Sequence, residues 1–357
     1  MGVYSRLEKA RNIGLKKSML VGYNLFLRKI DMSLKRTALL SRPTSLQLEC
    51  TTKCNLRCMM CDSPIWDRRG MEMKFSDLKK IIDQFPFLVS VNLQGMGEPL
   101  LNKDLFKMVT YCKSKKIMVL FTTNATLLDE IIAKKIVDSG LDYIVISVDG
   151  ATPETFERIR RGAKFGQVIE NIKKLVVARG ELKKPRIIFH FCATMDNIEE
   201  LPDVVRLAKN VGADGVEGLD VIFWGKKYLK EKLNEKTLES DMVKAKRIIN
   251  NAKMEAERMG LKFLWWGTTK ELLSNENLPL HPDPRLCKAP FRSCFITVDG
   301  YVTRCSDVPD PRISNFGNVF EQSFDEIWNS PEYIALRKAF LKGELPEPCK
   351  ECTKPML

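Results

Sequence analysis

The chain has 357 residues, of which 44% are apolar and 29% are charged. This composition is ordinary for a folded globular protein and excludes a disordered or fibrous chain. The length is too great for one ordinary hydrophobic core, so we expect one large α/β domain with appended modules. The formal net charge of +13 makes acidic partners or anionic surfaces worth considering.

Residues 1–43 are predicted to form a basic N-terminal helical extension. Residues 1–45 contain ten Lys or Arg against Glu8 and Asp31, which leaves a local charge of +8. Such an arm could contact nucleic acid or a membrane surface, but a solvated Lys-rich helix face explains it equally well, and we favour that interpretation. No secretory signal precedes it, and the apolar stretch 19–27 is too short to span a bilayer, so we expect a cytoplasmic protein.

Residues 44–266 alternate β-rich apolar runs with longer amphipathic segments. This alternation predicts a parallel βα array. Helix starts are indicated by Thr152 before Pro153, and by the capping-box spacing of Asn197 and Glu200. The six predicted strands cover 46–49, 89–93, 118–122, 143–148, 187–193 and 216–223.

Residues 267–357 are predicted to form a separate C-terminal domain. After a helix predicted over 236–259, turn residues and prolines gather at 275–284 and mark the boundary. The Asp299-Gly300 pair lies between two short β-rich runs, which predicts a hairpin with a type I′ turn. Ser323 and Ser330 then have the spacing of helix N-caps.

Cys54, Cys58 and Cys61 follow the first predicted strand on one short loop. Three thiolates in this arrangement can hold three irons of a 4Fe-4S cluster and leave the fourth iron open to a small molecule. A zinc site is the alternative, but zinc usually takes four ligands, and the only histidines are His190 and His281. Eleven cysteines in a chain without a secretory signal also favour metal or thiol chemistry over disulfides.

The cysteine spacing resembles the signature of the radical S-adenosylmethionine (radical SAM) superfamily. The segment Gly95-Met96-Gly97-Glu98-Pro99 resembles the superfamily's glycine-glutamate motif, and Ser147-Val148-Asp149-Gly150 resembles its ribose-contacting segment. The resemblance implies a partial (β/α)6 TIM-like barrel with its site at the carboxyl ends of the strands. The cofactor-binding positions that it implies are Gly97, Glu98, Asn124, Ser147, Asp149 and Arg160.

A second group of cysteines resembles the SPASM extension of that superfamily. Its spacing runs through Gly300, and the chain stops five residues after the last cysteine, so we expect a shortened, twitch-like module with one auxiliary 4Fe-4S cluster. A structural zinc site is the alternative here too. Cys294 could replace Cys287 as a ligand of this cluster, whereas Cys50, Cys112 and Cys192 are predicted to be structural thiols. The predicted ligands are Cys287, Cys305, Cys349 and Cys352.

The resemblance implies reductive cleavage of S-adenosylmethionine to a 5′-deoxyadenosyl radical, which abstracts hydrogen from an unidentified small-molecule or peptide substrate. We expect the auxiliary cluster to accept an electron in an oxidation, a flavodoxin- or ferredoxin-like protein to donate electrons, and Asp307 to be a candidate proton acceptor. In relatives that mature sulfatases an aspartate directly follows the hairpin cysteine; here Ser306 does, so that activity is not expected. The alternative is a basic nucleic-acid- or membrane-surface-binding protein with structural metal sites and no radical chemistry.

Overall fold

One mainly parallel sheet organises the part of the chain that the computed structural model describes, which comprises residues 14–61, 67–221, 236–266, 287 and 289–350. Within it, nine strands lie in the order β7-β6-β5-β4-β3-β2-β1-β8-β9, and only β9 is antiparallel to its neighbour. The strands are β1 (Ser45–Leu48), β2 (Ser90–Asn92), β3 (Met118–Thr123), β4 (Tyr143–Ser147), β5 (Arg186–Ala193), β6 (Gly215–Asp220), β7 (Lys262–Trp265), β8 (Ser293–Ile296) and β9 (Val302–Thr303).

Helices cover one face of this sheet. Strands β1 to β7 follow one another in sequence and space, so crossovers of one handedness place their helices on the same side. The sheet stays open, and the predicted partial α/β barrel is confirmed. The helices are α1 (Gly14–Ser33), α2 (Phe75–Asp83), α3 (Leu105–Ser114), α4 (Glu130–Asp138), α5 (Pro153–Ile159), α6 (Phe165–Arg179), α7 (Leu201–Val211), α8 (Met242–Arg258), α9 (Ala289–Arg292), α10 (Phe324–Trp328), α11 (Pro331–Lys342) and α12 (Glu347–Lys350).

Side chains alternate between the two faces of the strands, as the pleat requires. The outward set, which includes Val119, Ile144 and Phe189, joins the helices in the main hydrophobic core. The inward set begins with a small apolar cluster that includes Val145 and Ile188. Polar side chains follow this cluster toward the carboxyl ends, so the inner face offers a polar surface beside the site.

The C-terminal hairpin belongs to the same sheet as the barrel strands. Strand β8 pairs in parallel with β1, from Ser45 opposite Ser293 to Leu48 opposite Ile296. The predicted hairpin exists, but its type I′ turn is wrong: Gly300 has a φ of +89°, whereas Asp299 is not in the left-handed region. The Gly300 N–H donates to the Thr297 carbonyl at 3.0 Å, so a longer loop with one left-handed residue joins the strands.

The N-terminal segment packs against the C-terminal helices. The indole of Trp328 donates to the Ser41 carbonyl at 2.9 Å, and the buried guanidinium of Arg337 donates to the Thr37 carbonyl at 3.0 Å. Arg337 also lies over the rings of Trp328 and Tyr333, at 4.3 and 4.5 Å from the ring centres. Residues 37–41 are therefore fixed by contacts with residues almost 300 positions later in the chain.

Helix capping agrees with the sequence at three of four predicted starts. Thr152 and Ser330 cap α5 and α11, and Ser323 forms a full capping box with Glu326. The box predicted at Asn197 is wrong. Asn197 instead bonds backbone groups of Asp149 and Cys192, because the buried carboxyl end of β4 needs those partners.

Strand β7 was not predicted, and the predicted domain boundary at 275–284 lies outside the described residues. Among the helices that the structure describes, none is both long enough and apolar enough to cross a bilayer.

Candidate active site

The cysteine loop follows β1 and is tied to neighbouring segments by its backbone. The N–H groups of Arg57 and Met59 donate to the carbonyls of Arg161 and Ile159, at 3.0 and 2.9 Å. These two bonds bracket Arg160 and bring it beside Cys58. Sequence alone gave Arg160 a role by resemblance, and the loop pairing supplies the physical reason for its position.

The glycine-glutamate segment packs directly on the cysteine loop. The Glu98 N–H donates to the Lys53 carbonyl at 2.7 Å. A Cβ atom at Gly97 would lie 2.4 Å from the Thr51 carbonyl oxygen and 2.5 Å from that of Lys53. Only glycine allows the two backbones to approach this closely.

The Glu98 side chain ties this segment to the end of β3. Its carboxylate accepts hydrogen bonds from Leu100 N–H at 3.1 Å, Thr123 Oγ1 at 2.7 Å and Asn124 N–H at 2.7 Å. Burial raises the pKa of Glu98, and the three hydrogen bonds offset part of that rise. Asn124 in turn donates to Asn55 Oδ1 of the cysteine loop at 3.0 Å, so three consecutive strand ends form one connected surface.

Arg160 contacts both Asp149 and Cys58 at the end of β4. The fully buried Asp149 carboxylate accepts from Arg160 Nε and from the Cys192 N–H. Arg160 Nη1 lies 3.8 Å from Cys58 Sγ, within the range of a hydrogen bond to sulfur. Burial raises the pKa of the Cys58 thiol, and the Arg160 charge opposes that effect.

The structure places Ser147 on the inner face, opposite His190 in the strand register. Cys192, predicted to be an apolar structural thiol, is partly buried on the inner face, where it packs against an apolar cluster that includes Ile159 and lies near Asp149 and Arg160. Cys50, just after β1, is fully buried and structural, as predicted, and so is Cys112 in α3.

The residues of the first site fit an iron–sulfur cluster by the chemistry of their donors. Cys54, Cys58 and Cys61 are partly buried on one irregular loop. The Leu56 N–H and the Arg160 guanidinium point at sulfur, as donors do around ligated thiolates. Within the described ranges, no three potential ligand side chains already converge as they do around a metal ion. The assignment therefore rests on the donor set and not on preformed coordination.

Two cysteines of the second group, Cys305 and Cys349, lie near each other beside the hairpin. Arg304, directly before Cys305, donates from Nη1 to Cys349 Sγ at 3.2 Å, which brings the end of β9 to helix α12. Cys287 is partly buried next to the same core, and Cys352 lies outside the described residues. Cationic and thiol groups thus meet here as they do at the first site.

Cys294 and Asp307 lie at different depths in this module. Cys294 is 2% exposed on β8 within the main core, where burial raises its thiol pKa. Asp307 lies in the turn in which the Val308 N–H donates to the Cys305 carbonyl at 3.2 Å, and it is partly buried.

Glu49 is a residue that sequence reasoning missed. Its buried carboxylate accepts from the Met96 N–H at 3.2 Å and from the Val298 N–H at 3.3 Å. Arg68 lies 3.7 Å from the same carboxylate and 2.5 Å from Asp299. One side chain therefore joins the glycine-glutamate segment of the first site to the hairpin of the second.

The inner face also presents a histidine–carboxylate pair. His190 on β5 and Glu217 on β6 are register partners, with 3.1 Å between Nδ1 and Oε1. Burial alone would raise the pKa of Glu217, but its hydrogen bond with His190 keeps that pKa below its ordinary value. The sequence signal was the period-two pattern of β5, which places His190 on the face opposite Phe189.

A polar cluster on β2 and β3 also faces the inner side. Gln94 Oε1 accepts from Asn92 at 3.0 Å and from Thr122 at 2.8 Å, and Gln47 donates to the Gln94 carbonyl at 3.1 Å. The inner face thus presents carboxamide and hydroxyl groups on one side and the His190–Glu217 pair on the other.

These features define an α/β protein with a thiol-rich site at the carboxyl ends of an open parallel barrel, where such folds carry their chemistry. Residues 48–208 match the Radical SAM superfamily, and residues 287–353 match SPASM, an iron-sulfur cluster-binding domain. The chain therefore belongs to the radical SAM superfamily and carries a C-terminal SPASM domain. Its cofactors are S-adenosylmethionine, a SAM-binding 4Fe-4S cluster and auxiliary iron–sulfur.

The relatives that are similar in sequence have names that describe different activities. A tungsten-containing aldehyde ferredoxin oxidoreductase cofactor-modifying protein from Pyrococcus furiosus is 26% identical over 327 residues, which cover 86% of each chain. A PqqA peptide cyclase from Gluconobacter oxydans is 27% identical over 328 residues, 88% of this chain and 84% of that protein. A probable GTP 3′,8-cyclase from Methanocaldococcus jannaschii is 31% identical over 175 residues, 47% of this chain and 56% of that protein.

Solved structures share the fold. SuiB of Streptococcus suis bound to S-adenosylmethionine superposes with a TM-score of 0.70 at 18% identity, covering 87% of this chain and 71% of that one. The anSMEcpe structure with bound AdoMet gives a TM-score of 0.66 at 20% identity, covering 87% of both chains. These identities establish the architecture alone.

Proposed function

We propose that this protein oxidatively modifies a polar substrate held on the inner face of its barrel, with a peptide as the first candidate. The observation that carries the proposal is the double contact of Arg160 with Cys58 and Asp149. Arg160 links the cysteine loop to the end of β4. The thiols that would ligate iron therefore lie on the same surface as the polar groups that would bind a polar cofactor.

The first site would hold its cluster through Cys54, Cys58 and Cys61. When bound there, S-adenosylmethionine supplies a 5′-deoxyadenosyl radical for removing a hydrogen atom from substrate. The chain's own contribution is order and charge: Glu98 fixes three strand ends, and Arg160 carries a positive charge against both sulfur and carboxylate. The positions proposed to contact the cofactor are Gly97, Glu98, Asn124, Ser147, Asp149 and Arg160.

The second site would hold an auxiliary cluster as an electron acceptor. All four of its proposed ligands are cysteines, so they would leave no iron open to substrate, which favours electron acceptance over substrate anchoring. Arg304 contributes a cation at Cys349. Asp307 is proposed as a proton acceptor because it follows the hairpin cysteine by two residues. The proposed ligands are Cys287, Cys305, Cys349 and Cys352.

A peptide is favoured as the substrate by the names of relatives and by the inner face. Several PqqA peptide cyclases and a mycofactocin maturase are among the named relatives. Side chains such as Gln47 and Asn92 can donate to and accept from peptide amides, and the inner face carries both. A nucleotide or cofactor precursor is the second candidate, since other relatives are named for those substrates.

An acidic electron donor suits this chain. The net charge of +13 would attract a flavodoxin- or ferredoxin-like protein by long-range electrostatics. Association should then weaken as salt rises toward about 0.15 M, where screening limits such forces to about 8 Å.

Anaerobic reconstitution tests the proposal. We expect about eight irons per chain, from two 4Fe-4S clusters, and dithionite-dependent formation of 5′-deoxyadenosine. Cys58→Ala should abolish that product, whereas Cys112→Ala, far from either site, should retain it. Bound zinc in place of iron, or no cleavage by the iron-loaded protein, would reject the function.

The substrate class has its own test. A low-mass extract of the source cells should raise 5′-deoxyadenosine formation above the basal rate. Protease treatment of the extract should remove the stimulation if the substrate is a peptide. Stimulation that survives protease but not phosphatase would favour the nucleotide candidate instead.

A further inference from the structure

Helix α1 exposes a continuous apolar stripe to solvent. Leu15, Met19, Tyr23 and Phe26 follow one another at intervals of four, four and three residues, which places them on one helix face. Their exposed fractions are 80%, 61%, 58% and 59%. A stripe of this kind is what an interfacial helix presents to its partner.

The opposite face of the same helix is firmly docked. Asn24 is fully buried and exchanges hydrogen bonds with the Arg42 backbone, at 3.0 and 2.8 Å. Asp31 accepts from the Ser41 N–H at 2.9 Å, and Val21 packs against Val89. The exposed stripe therefore belongs to a helix whose orientation is already fixed by its other side.

Exposed apolar side chains concentrate in this region. Of sixteen large hydrophobic side chains that are exposed in the described residues, nine lie between Leu15 and Leu40. The remainder, such as Ile131, Val177 and Val243, are distributed over separate helices and loops. A single cluster of this size marks an interaction surface, whereas isolated exposed residues do not.

Positive charge surrounds the stripe. Residues 14–45 contain seven Lys or Arg and a single acidic residue, Asp31, which is buried. Lys16, Lys29 and Lys35 are exposed on or beside the helix. Self-association through this face would bring two such charges together, and a nucleic acid would leave the Leu15 and Met19 side chains without apolar partners.

We propose that α1 docks flat on an anionic lipid surface, with Met19, Tyr23 and Phe26 inserted among the acyl chains and the flanking lysines on the headgroups. Such binding combines apolar burial with attraction to anionic lipid, and this helix supplies both.

The docking surface and the proposed active site lie at opposite ends of the barrel. Lys17 of α1 donates to the Lys115 carbonyl at 2.7 Å, just after α3, and Arg28 lies 3.5 Å from Thr44 Oγ1. Thr44 precedes β1, so α1 sits at the amino ends of the strands, whereas the cysteine loop follows their carboxyl ends. A docked molecule would keep its site open to the aqueous side, and the two functions can be tested separately.

Vesicle co-sedimentation with the full-length, reconstituted protein tests the proposal. Vesicles of phosphatidylcholine containing about 30% phosphatidylglycerol should bind at least about ten-fold more protein than phosphatidylcholine alone. The double variant Met19→Gln/Phe26→Gln should lose about ten-fold in binding. The matched control Ile131→Gln/Val177→Gln changes two apolar residues elsewhere that are at least as exposed, and it should bind as the native chain does.

Several results would overturn the proposal. Native-like binding by the Met19→Gln/Phe26→Gln variant would show that the apolar stripe does not bind the lipid. Equal binding to both vesicle types would show that the positive charge of α1 does not contribute. Binding of RNA or formation of a dimer, without vesicle binding, would assign the face to another partner. If the double variant misfolds by circular dichroism, Lys16→Glu/Lys29→Glu replaces it at exposed positions and should lose the anionic preference.

Discussion

Arg160 Nη1 lies 3.8 Å from Cys58 Sγ while Arg160 Nε bonds Asp149, so one guanidinium joins a thiol of the cysteine loop to a fully buried carboxylate. The fork geometry of arginine allows both contacts at once. A lysine would have the charge but not the two directions. The arrangement makes the geometry of Arg160, and not only its charge, important for the site.

Arg160→Lys should therefore lower dithionite-dependent 5′-deoxyadenosine formation by about 10- to 100-fold, the usual effect of losing a group that orients metal ligands. Iron content should stay close to native, because the three thiols remain. The control is Arg158→Lys, two residues earlier on α5, whose exposed side chain pairs with Asp196. Equal activity in the two variants would argue against a positioning role for Arg160.

Gly97→Ala tests the close approach of the two loops. The new Cβ would lie 2.4 Å from the Thr51 carbonyl oxygen, so the cysteine loop must move. Overpacking of this kind costs about 1–3 kcal/mol, and we expect iron incorporation to fall to about half or less. Gly166→Ala is the control, since its Cβ would meet nothing within 4 Å in the first turn of α6. Unchanged iron in Gly97→Ala would show that the loops can separate.

Much of the fold could be predicted because its signals are local. Each of the six predicted strands is a short apolar run followed by a helical pattern, and sequential order then fixes the side of the sheet. Strand β7 was not predicted because it is only four residues long, and in it the exposed Lys262 and two half-buried residues precede the single buried residue, Trp265. The pairing of β8 with β1 joins segments about 250 residues apart, and no local pattern encodes such a contact.

The site likewise has parts that local sequence predicts and parts that it does not. The cysteine loop and the glycine-glutamate segment are contiguous in sequence, so their spacing identified them. Glu49 and the His190–Glu217 pair depend on strand register, which sequence spacing does not fix. Asn197 has the sequence spacing of a capping box, but its side chain donates instead to the backbone carbonyls of Asp149 and Cys192.

The His190–Glu217 pair makes a prediction about proton position. If Nδ1–H donates to the carboxylate, Nε2 has a free lone pair on the inner face and can accept a proton from substrate. In ¹⁵N-histidine-labelled protein we expect His190 as the Nδ1-protonated tautomer. Glu217→Gln offers an amide donor to Nδ1, so it should shift His190 toward the Nε2-protonated form.

The measurement is direct because the chain has only two histidines. A His281→Gln variant assigns the signals. Glu217→Gln should also leave basal 5′-deoxyadenosine formation unchanged, since the His190–Glu217 pair lies on β5 and β6, whereas the cysteine loop follows β1. An Nε2 tautomer in the native protein would contradict the proposed orientation.

Arg337 should dominate the packing of the N-terminal segment on α11. Arg337→Met leaves the Thr37 and Pro290 carbonyls without their donor and removes the cation from between Trp328 and Tyr333. We expect a loss of about 3 kcal/mol, or roughly 6–12 °C in melting temperature. Arg258→Met, on an exposed pair with Glu255, should change stability by less than about 0.5 kcal/mol. Equal melting temperatures would show that the buried guanidinium contributes nothing net.

The packing of α1 against the barrel depends on pH through Lys17. Burial lowers the pKa of Lys17 from 10.5 to about 8, although its ammonium donates to two backbone carbonyls. Because the folded-state pKa lies below the unfolded one, the unfolded chain binds more protons between about pH 8 and 10.5. Stability from this group therefore rises with pH across that window, and below pH 8 the native state bears the full cost of burying the charge.

Lys17→Met removes this titration. The melting temperature of the native chain, relative to that of Lys17→Met, should increase as pH rises from about 8 to 10 and stay constant from about 6 to 7. Lys16→Met is the matched control, since it removes the same charge from the exposed neighbouring position of the same helix and should show no such slope. A slope of the same size in both variants would mean that general charge repulsion, and not the burial of Lys17, sets the pH dependence of α1.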